Sequence, residues 1–133
     1  MEDQKIIDEL LIYFSKIETF DKDSAQDGSA LHSYLIELTN ITSRANFLMA
    51  EYKRKFRQEK EQAYINLAKS RHAEQRYYAP SLARDYIDSQ CSETAYIYDL
   101  SERLSRTCVH SIDSVRTIVS SLKSERAFAN YAQ

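Results

Sequence analysis

The chain has 133 residues, 43% hydrophobic and 29% charged, the balance of one folded soluble domain rather than a disordered segment. It holds a single glycine, Gly28, and a single proline, Pro80. Tight turns between strands draw on such residues for their backbone angles, so a many-stranded domain is excluded, as are glycine-rich phosphate loops and dinucleotide fingerprints.

The first predicted element covers residues 1–19. Ile6, Ile7, Leu10, Leu11, Phe14 and Ile17 fall at the three-and-four spacing of one helix face, with charges opposite. Residues 20–29 collect acids, serines and the only glycine, which reads as a loop. Ser29 is the expected N-cap of the second helix.

From Ala30 nothing stops a helix until about His72, and a long basic helix is predicted over residues 30–76. Leu31, Tyr34, Leu38, Ile41, Ala45, Leu48 and Tyr52 alternate in steps of three and four, a coiled-coil seam that Phe56, Ala63 and Leu67 extend more loosely. A helix of about 43 residues is about 65 Å long and demands a partner helix. Tyr77-Tyr78-Ala79-Pro80-Ser81 breaks the pattern, and Pro80 suits the first turn of a new helix, where its missing amide costs nothing.

A second long helix is predicted over residues 80–128. Its stripe begins at Leu82, Tyr86, Ile87 and Cys91 and continues through Ile97, Leu100, Leu104, Cys108, Ile112, Val115, Val119 and Leu122. Two long helices joined by a short turn pack antiparallel most simply. The expected fold is therefore all-α, a single domain made of a short N-terminal helix and a long antiparallel helical hairpin, with the first helix across one end. Such a hairpin buries one stripe per helix. The ten tyrosines, among them Tyr13, Tyr64, Tyr96 and Tyr98 beside the stripes, suit half-buried subunit contacts, so self-association is expected.

Cys91 and Cys108 lie 17 residues apart, about 25 Å on one helix, whereas a disulfide needs Cα atoms within about 7 Å. They read as small buried apolar residues in a reducing, cytoplasmic protein. No apolar run reaches the roughly 18 residues of a membrane span, and Met1-Glu2-Asp3-Gln4 lacks the start of a signal peptide.

Enzyme chemistry finds little support. None of His32, His72 and His110 stands three residues after a glutamate, so the metal pairs of helical bundles are missing. There is no His-Glu-x-x-His and no close cysteine pair. His110 reads as a polar surface residue. No catalytic residue, metal or cofactor is expected.

Charge is more informative. The net −2 divides into −6 over residues 1–52, +5 over 53–79 and −1 over 80–133. The cations concentrate in Lys53, Arg54, Lys55, Arg57 and Lys60. Lys53, Arg57 and Lys60 share a helix face, Tyr64 lies four residues on, and Tyr52 and Phe56 bring rings close. Cations that track phosphates beside rings that stack on bases are what single-strand binding needs, whereas a solvated face or an acidic protein partner needs the cations alone. A second basic set, Arg103, Arg106, Arg116, Lys123 and Arg126, gives residues 103–126 a net +3. Arg103, Arg106 and His110 form a ridge, while Arg116 and Lys123 are expected to neutralise the acids of residues 1–52.

Ala45-Asn46-Phe47-Leu48-Met49-Ala50-Glu51-Tyr52-Lys53-Arg54-Lys55-Phe56 and Glu125-Arg126-Ala127-Phe128 give the chain a resemblance to a known family. Over residues 31–133 it resembles the phage UvsY-like recombination mediators, small helical proteins that bind single-stranded DNA, assemble into rings and help load a RecA-like recombinase onto strands coated by single-strand-binding protein. The resemblance implies phosphate contacts at Lys53, Arg54, Lys55, Arg57 and Lys60. It implies subunit contacts around residues 104–128, where the apolar positions are Leu104, Cys108, Ile112, Val115, Val119, Leu122 and Phe128. The chain departs from the family at Glu59 and Glu61, where the family continues with basic residues. The expected function is an oligomeric, non-enzymatic accessory protein for single-stranded DNA. The alternative is a helical adaptor that binds another protein through its exposed seams.

Overall fold

Helix forms almost everywhere in the computed structural model, which describes residues 2–20, 28–74 and 79–132. The elements are α1 (Glu2–Thr19), α2 (Gly28–Glu74), α3 (Pro80–Gln90) and α4 (Ser92–Ala132), with no strand among the described residues. The fold is all-α. Most of the expected loop at 20–29, the end of the basic helix at 75–76 and the Tyr77-Tyr78 break lie outside the described residues.

α1 begins with Glu2 and Asp3 and ends near Lys16, charges that suit the two ends of its dipole. It buries Leu10 and packs Ile6, Ile7, Phe14 and Ile17 against the core. Leu11, expected on that face, is exposed. α2 runs for 47 residues, about 70 Å. It starts at Gly28, so Ser29, expected at its N-cap, sits in its first turn. Every position of its seam from Leu31 to Tyr52 is buried, as are Ala63 and Leu67. Thr39 and Thr42 donate to the carbonyls of Leu35 and Leu38, satisfying their hydroxyls without leaving the helix.

The expected single helix over 80–128 is interrupted. Pro80 opens α3 as anticipated, but α3 ends at Gln90, and Cys91 leaves helical geometry at φ −114°, ψ 9°. Its amide donates to the Asp88 carbonyl, and its own carbonyl accepts from Ala95 in the first turn of α4. Neither glycine nor proline causes the break. Asp88, Ser89, Cys91 and Ser92 are weak helix formers, and Ser89 and Ser92 donate side-chain hydrogen bonds to the carbonyls of Tyr86 and Ser89.

Contacts between helices run in reversed order. Along α1 and α2, Asp3 meets Tyr52, Glu9 meets Arg44 and Lys16 meets Glu37. Along α2 and α4, Asn46 accepts from Ser105, and His32 shares a cleft with Val119. Near the other end of α2, Leu67 shares a cleft with Leu82 of α3. α1 thus lies lengthwise beside residues 37–52 of α2 and against α4, not across an end.

Apolar burial divides accordingly. Where three helices meet, Leu10, Leu31, Leu38, Leu48, Ile97, Leu104 and Val115 form one continuous core. Each such side chain contributes about 1.5–3 kcal/mol. Toward the other end of α2, where α3 packs on it, the core among the described residues shrinks to Ala63, Leu67 and Ile87 with Ala83 against them. Leu82 and Tyr86, predicted to begin the stripe, are exposed there, Leu82 by 55%.

The expected subunit contacts need correction on the same ground. Leu104, Cys108 and Val115 are fully buried within this one chain and have no surface to offer a second copy. Ile112, Val119 and Leu122 pack partly against the same core, and only Phe128, 74% exposed, stands open. Cys91 and Cys108 are free and buried, and burial pushes both thiols above the ordinary range.

Candidate nucleic-acid interface

The cations from Lys53 to Lys60 begin just past the point on α2 that faces the start of α1. Tyr52 is the last position of the seam and is buried, with its hydroxyl donating to Asp3 Oδ1 over 2.7 Å. One residue later the helix has no third neighbour, and polar side chains take over every exposed position to Gln62, while Phe56 is half-buried.

At 100° per residue the five cations do not form one cluster. Lys53, Arg57 and Lys60, with Tyr64, occupy one flank of α2 in steps of four, three and four. Asn46, seven residues before Lys53, lies on that flank and bonds to α4, so the flank faces the side of the bundle away from Arg44 and α1. Lys55 turns to the opposite flank, its Nζ 4.7 Å from the centroid of the Tyr52 ring. Arg54 points outward between the two. Lys53, Arg54 and Arg57 form no ion pair with any described residue. Glu59 and Glu61 pair with none of the cations either, and Glu59 and Lys60 instead lie close enough to Cys91 to act on its thiol.

The rings are less available than their spacing implied. Tyr52 is closed off in the core, and Phe56 is half-buried with the Lys60 ammonium 5.8 Å above its ring. Tyr64, 52% exposed, is left as the open ring of the strip. What the arrangement offers is a ridge of three unpaired or ring-supported cations, about 10 Å long, ending in one exposed aromatic.

The C-terminal basic set separates into two kinds. Arg103 and Arg106, expected in a ridge with His110, are neutralised on their own helix by Asp99 and Glu102 at 3.1 and 2.5 Å. The signal for this was present in the sequence as an acid four residues ahead of each arginine. Arg116 and Lys123, expected to neutralise the acids of residues 1–52, pair with none of the described ones, of which Glu37 pairs with Lys16 and Glu9 with Arg44; Arg126 likewise forms no ion pair with described residues.

The Arg44–Glu9 pair links α2 to α1 through two hydrogen bonds. Arg44 Nε and a terminal nitrogen donate to the two Glu9 oxygens at 2.8 and 3.1 Å, and Tyr13 donates to the same carboxylate at 2.8 Å. The arginine hydrogen bond holds the Glu9 carboxyl below its usual range, against the opposing effect of burial. The partners stand 35 positions apart, so no local spacing announces the pair.

Among the described residues no three of His, Cys, Asp and Glu come together as metal ligands. No helix is long and apolar enough to cross a membrane. Comparison with protein-family models, curated proteins and solved structures finds no match for this chain.

Proposed function

We propose that the chain is a non-enzymatic accessory protein that holds single-stranded DNA along the Lys53–Tyr64 flank of a helical hairpin and works as an oligomer. One observation carries the reading: Lys53, Arg57 and Lys60 stand in register on an exposed flank, unneutralised by the nearby glutamates, with Tyr64 beside them. Cations so placed bind phosphates without regard to sequence, and an open ring adds stacking. The resemblance of residues 45–56 and 125–128 to the UvsY-like mediators extends the proposal to loading of a RecA-like recombinase in the presence of single-strand-binding protein, in the cytoplasm of a phage host.

Self-association uses surface that the single chain leaves uncovered. Ile65, Leu82 and Tyr86 stand exposed on the arm formed by α2 and α3, where a cleft of about 210 Å³ is lined by Leu67, Ser70, Leu82 and Tyr86. A second copy packed there turns a two-helix arm with a minimal core into a bundle.

The test is fluorescence anisotropy of a labelled oligothymidylate with wild type and with Lys53→Glu/Arg57→Glu/Lys60→Glu. Three phosphates neutralised on a single strand give a salt slope of about −2, a fall of roughly 15- to 20-fold between 50 and 200 mM salt. Binding that ignores salt, or that survives the triple variant, removes the DNA reading. The adaptor reading then stands, favoured by the exposure of Ile12, Ile36 and Phe47 along the bundle.

A further inference from the structure

The face of the α2–α4 pair that carries the cationic strip changes character toward the start of α2. Two clefts of about 290 and 240 Å³ lie there side by side and share His32 and Leu35. Their floor is apolar: Leu35 from α2, and Ile112, Val119 and Leu122 from α4. Their rim is cationic: Arg116, Lys123 and Arg126, with His32 opposite.

Three observations fix the chemistry of an occupant. Among the described residues no acid lines either cleft, and the three rim cations pair with none, although Arg103 and Arg106 of the same helix are both neutralised. No aromatic ring among the described residues lines the clefts, so the described lining lacks the platform for bases that Tyr64 supplies at the strip. From Ile112 to Arg126 the groove runs fourteen residues of α4, about 21 Å or four helical turns, open to solvent at the Ile36 lip, which is 52% exposed.

We propose that this groove docks an acidic amphipathic helix of a partner protein. Apolar side chains of such a helix at three-and-four spacing fill the Leu35–Ile112–Val119–Leu122 floor. Its carboxylates reach Arg116, Lys123 and Arg126 along one edge. Helix-in-groove recognition works in this way, with apolar anchors supplying affinity and rim charges supplying register and choice of partner. Docking of the helix does not depend on DNA binding, because the groove and the Lys53–Lys60 strip share no residue.

The probe is a fluorescein-labelled peptide of about sixteen residues, four to five turns, with leucines on one face and glutamates on the other. Its controls are the same composition in scrambled order and an unlabelled oligothymidylate as competitor. Wild type binds the amphipathic peptide in preference to the scrambled one. Arg116→Glu/Lys123→Glu weakens that binding by roughly tenfold or more. Ile36→Glu, at the exposed lip, weakens it independently, and Lys53→Glu/Arg57→Glu/Lys60→Glu leaves it unchanged. All these positions are exposed, and unchanged circular dichroism of each variant shows that the fold survives. No binding by wild type, equal binding of the scrambled peptide, indifference to the rim reversal, or displacement by the oligonucleotide each overturns the proposal. The last result assigns the groove to nucleic acid.

Discussion

The hydroxyl of Tyr52 on α2 donates to the carboxylate of Asp3 in the first turn of α1, at 2.7 Å. The ring is buried, and burial together with that carboxylate pushes the phenol well above its usual range. This contact pins the start of α1 to the place where the three-helix core ends and the cationic strip begins. Two regions of opposite charge thus meet at one buried tyrosine.

Tyr52→Phe keeps the ring and removes the donor. The expected cost is about 1 kcal/mol in urea unfolding, because a tertiary hydrogen bond to a partly exposed carboxylate is exchanged for water. Tyr52→Ala also empties core volume and costs about 3–5 kcal/mol. Equal losses for the two variants contradict the buried position of the ring.

Acid weakens the link between α1 and α2 through Glu9. Its folded-state pKa lies below the ordinary carboxyl value of 4.5. The contribution is therefore complete above the unfolded-state value and is lost as pH falls through the depressed folded value. Both partners are partly exposed, so solvent screening limits the pair to about 1 kcal/mol. Urea titrations of wild type and Glu9→Gln at pH 7, 4 and 3 show a stability gap that closes with acid. A gap independent of pH refutes the assignment.

Fold and association separate along the C-terminal helix. Leu104→Ala, in the fully buried core, costs about 2–5 kcal/mol of stability. Phe128→Ala, at an exposed position, leaves stability within about 0.5 kcal/mol. Sedimentation velocity on Leu82→Asp/Tyr86→Asp reads the proposed contact on the arm, with a shift to the monomer expected. An unshifted oligomer places self-association elsewhere.

Local stability follows the division of the core. Amides of residues 56–70 and 83–90 are expected to exchange faster than those of 31–52 and 97–115, because among the described residues the first group's core is the small cluster of Ala63, Leu67, Ile87 and Ala83. Hydrogen exchange followed by mass spectrometry checks the order, and uniform protection along α2 contradicts it.

Much of this architecture was legible in residue spacing. The seam from Leu31 to Tyr52 and the stripe from Ile97 to Val115 read correctly because a helix repeats every 3.6 residues, and burial selects one face. Pro80 marked the start of α3 because its ring fits the first helical turn and no later one. The break at Cys91 was hidden, since neither a glycine nor a proline marks it in the sequence.

Composition and periodicity alone determined that the protein is helical, that α2 is long, and that its cations gather between Lys53 and Lys60. Only the tertiary structure decided what those cations and the apolar stripes face. It sent Lys55 over the Tyr52 ring, left Lys53, Arg57 and Lys60 without an ion pair among the described residues, and placed Leu104, Cys108 and Val115 in the chain's own core. The physical reason is that a helix sets the angle between its own side chains, whereas the neighbour met at each angle, such as Glu9 for Arg44 across 35 residues, is chosen by how whole helices pack.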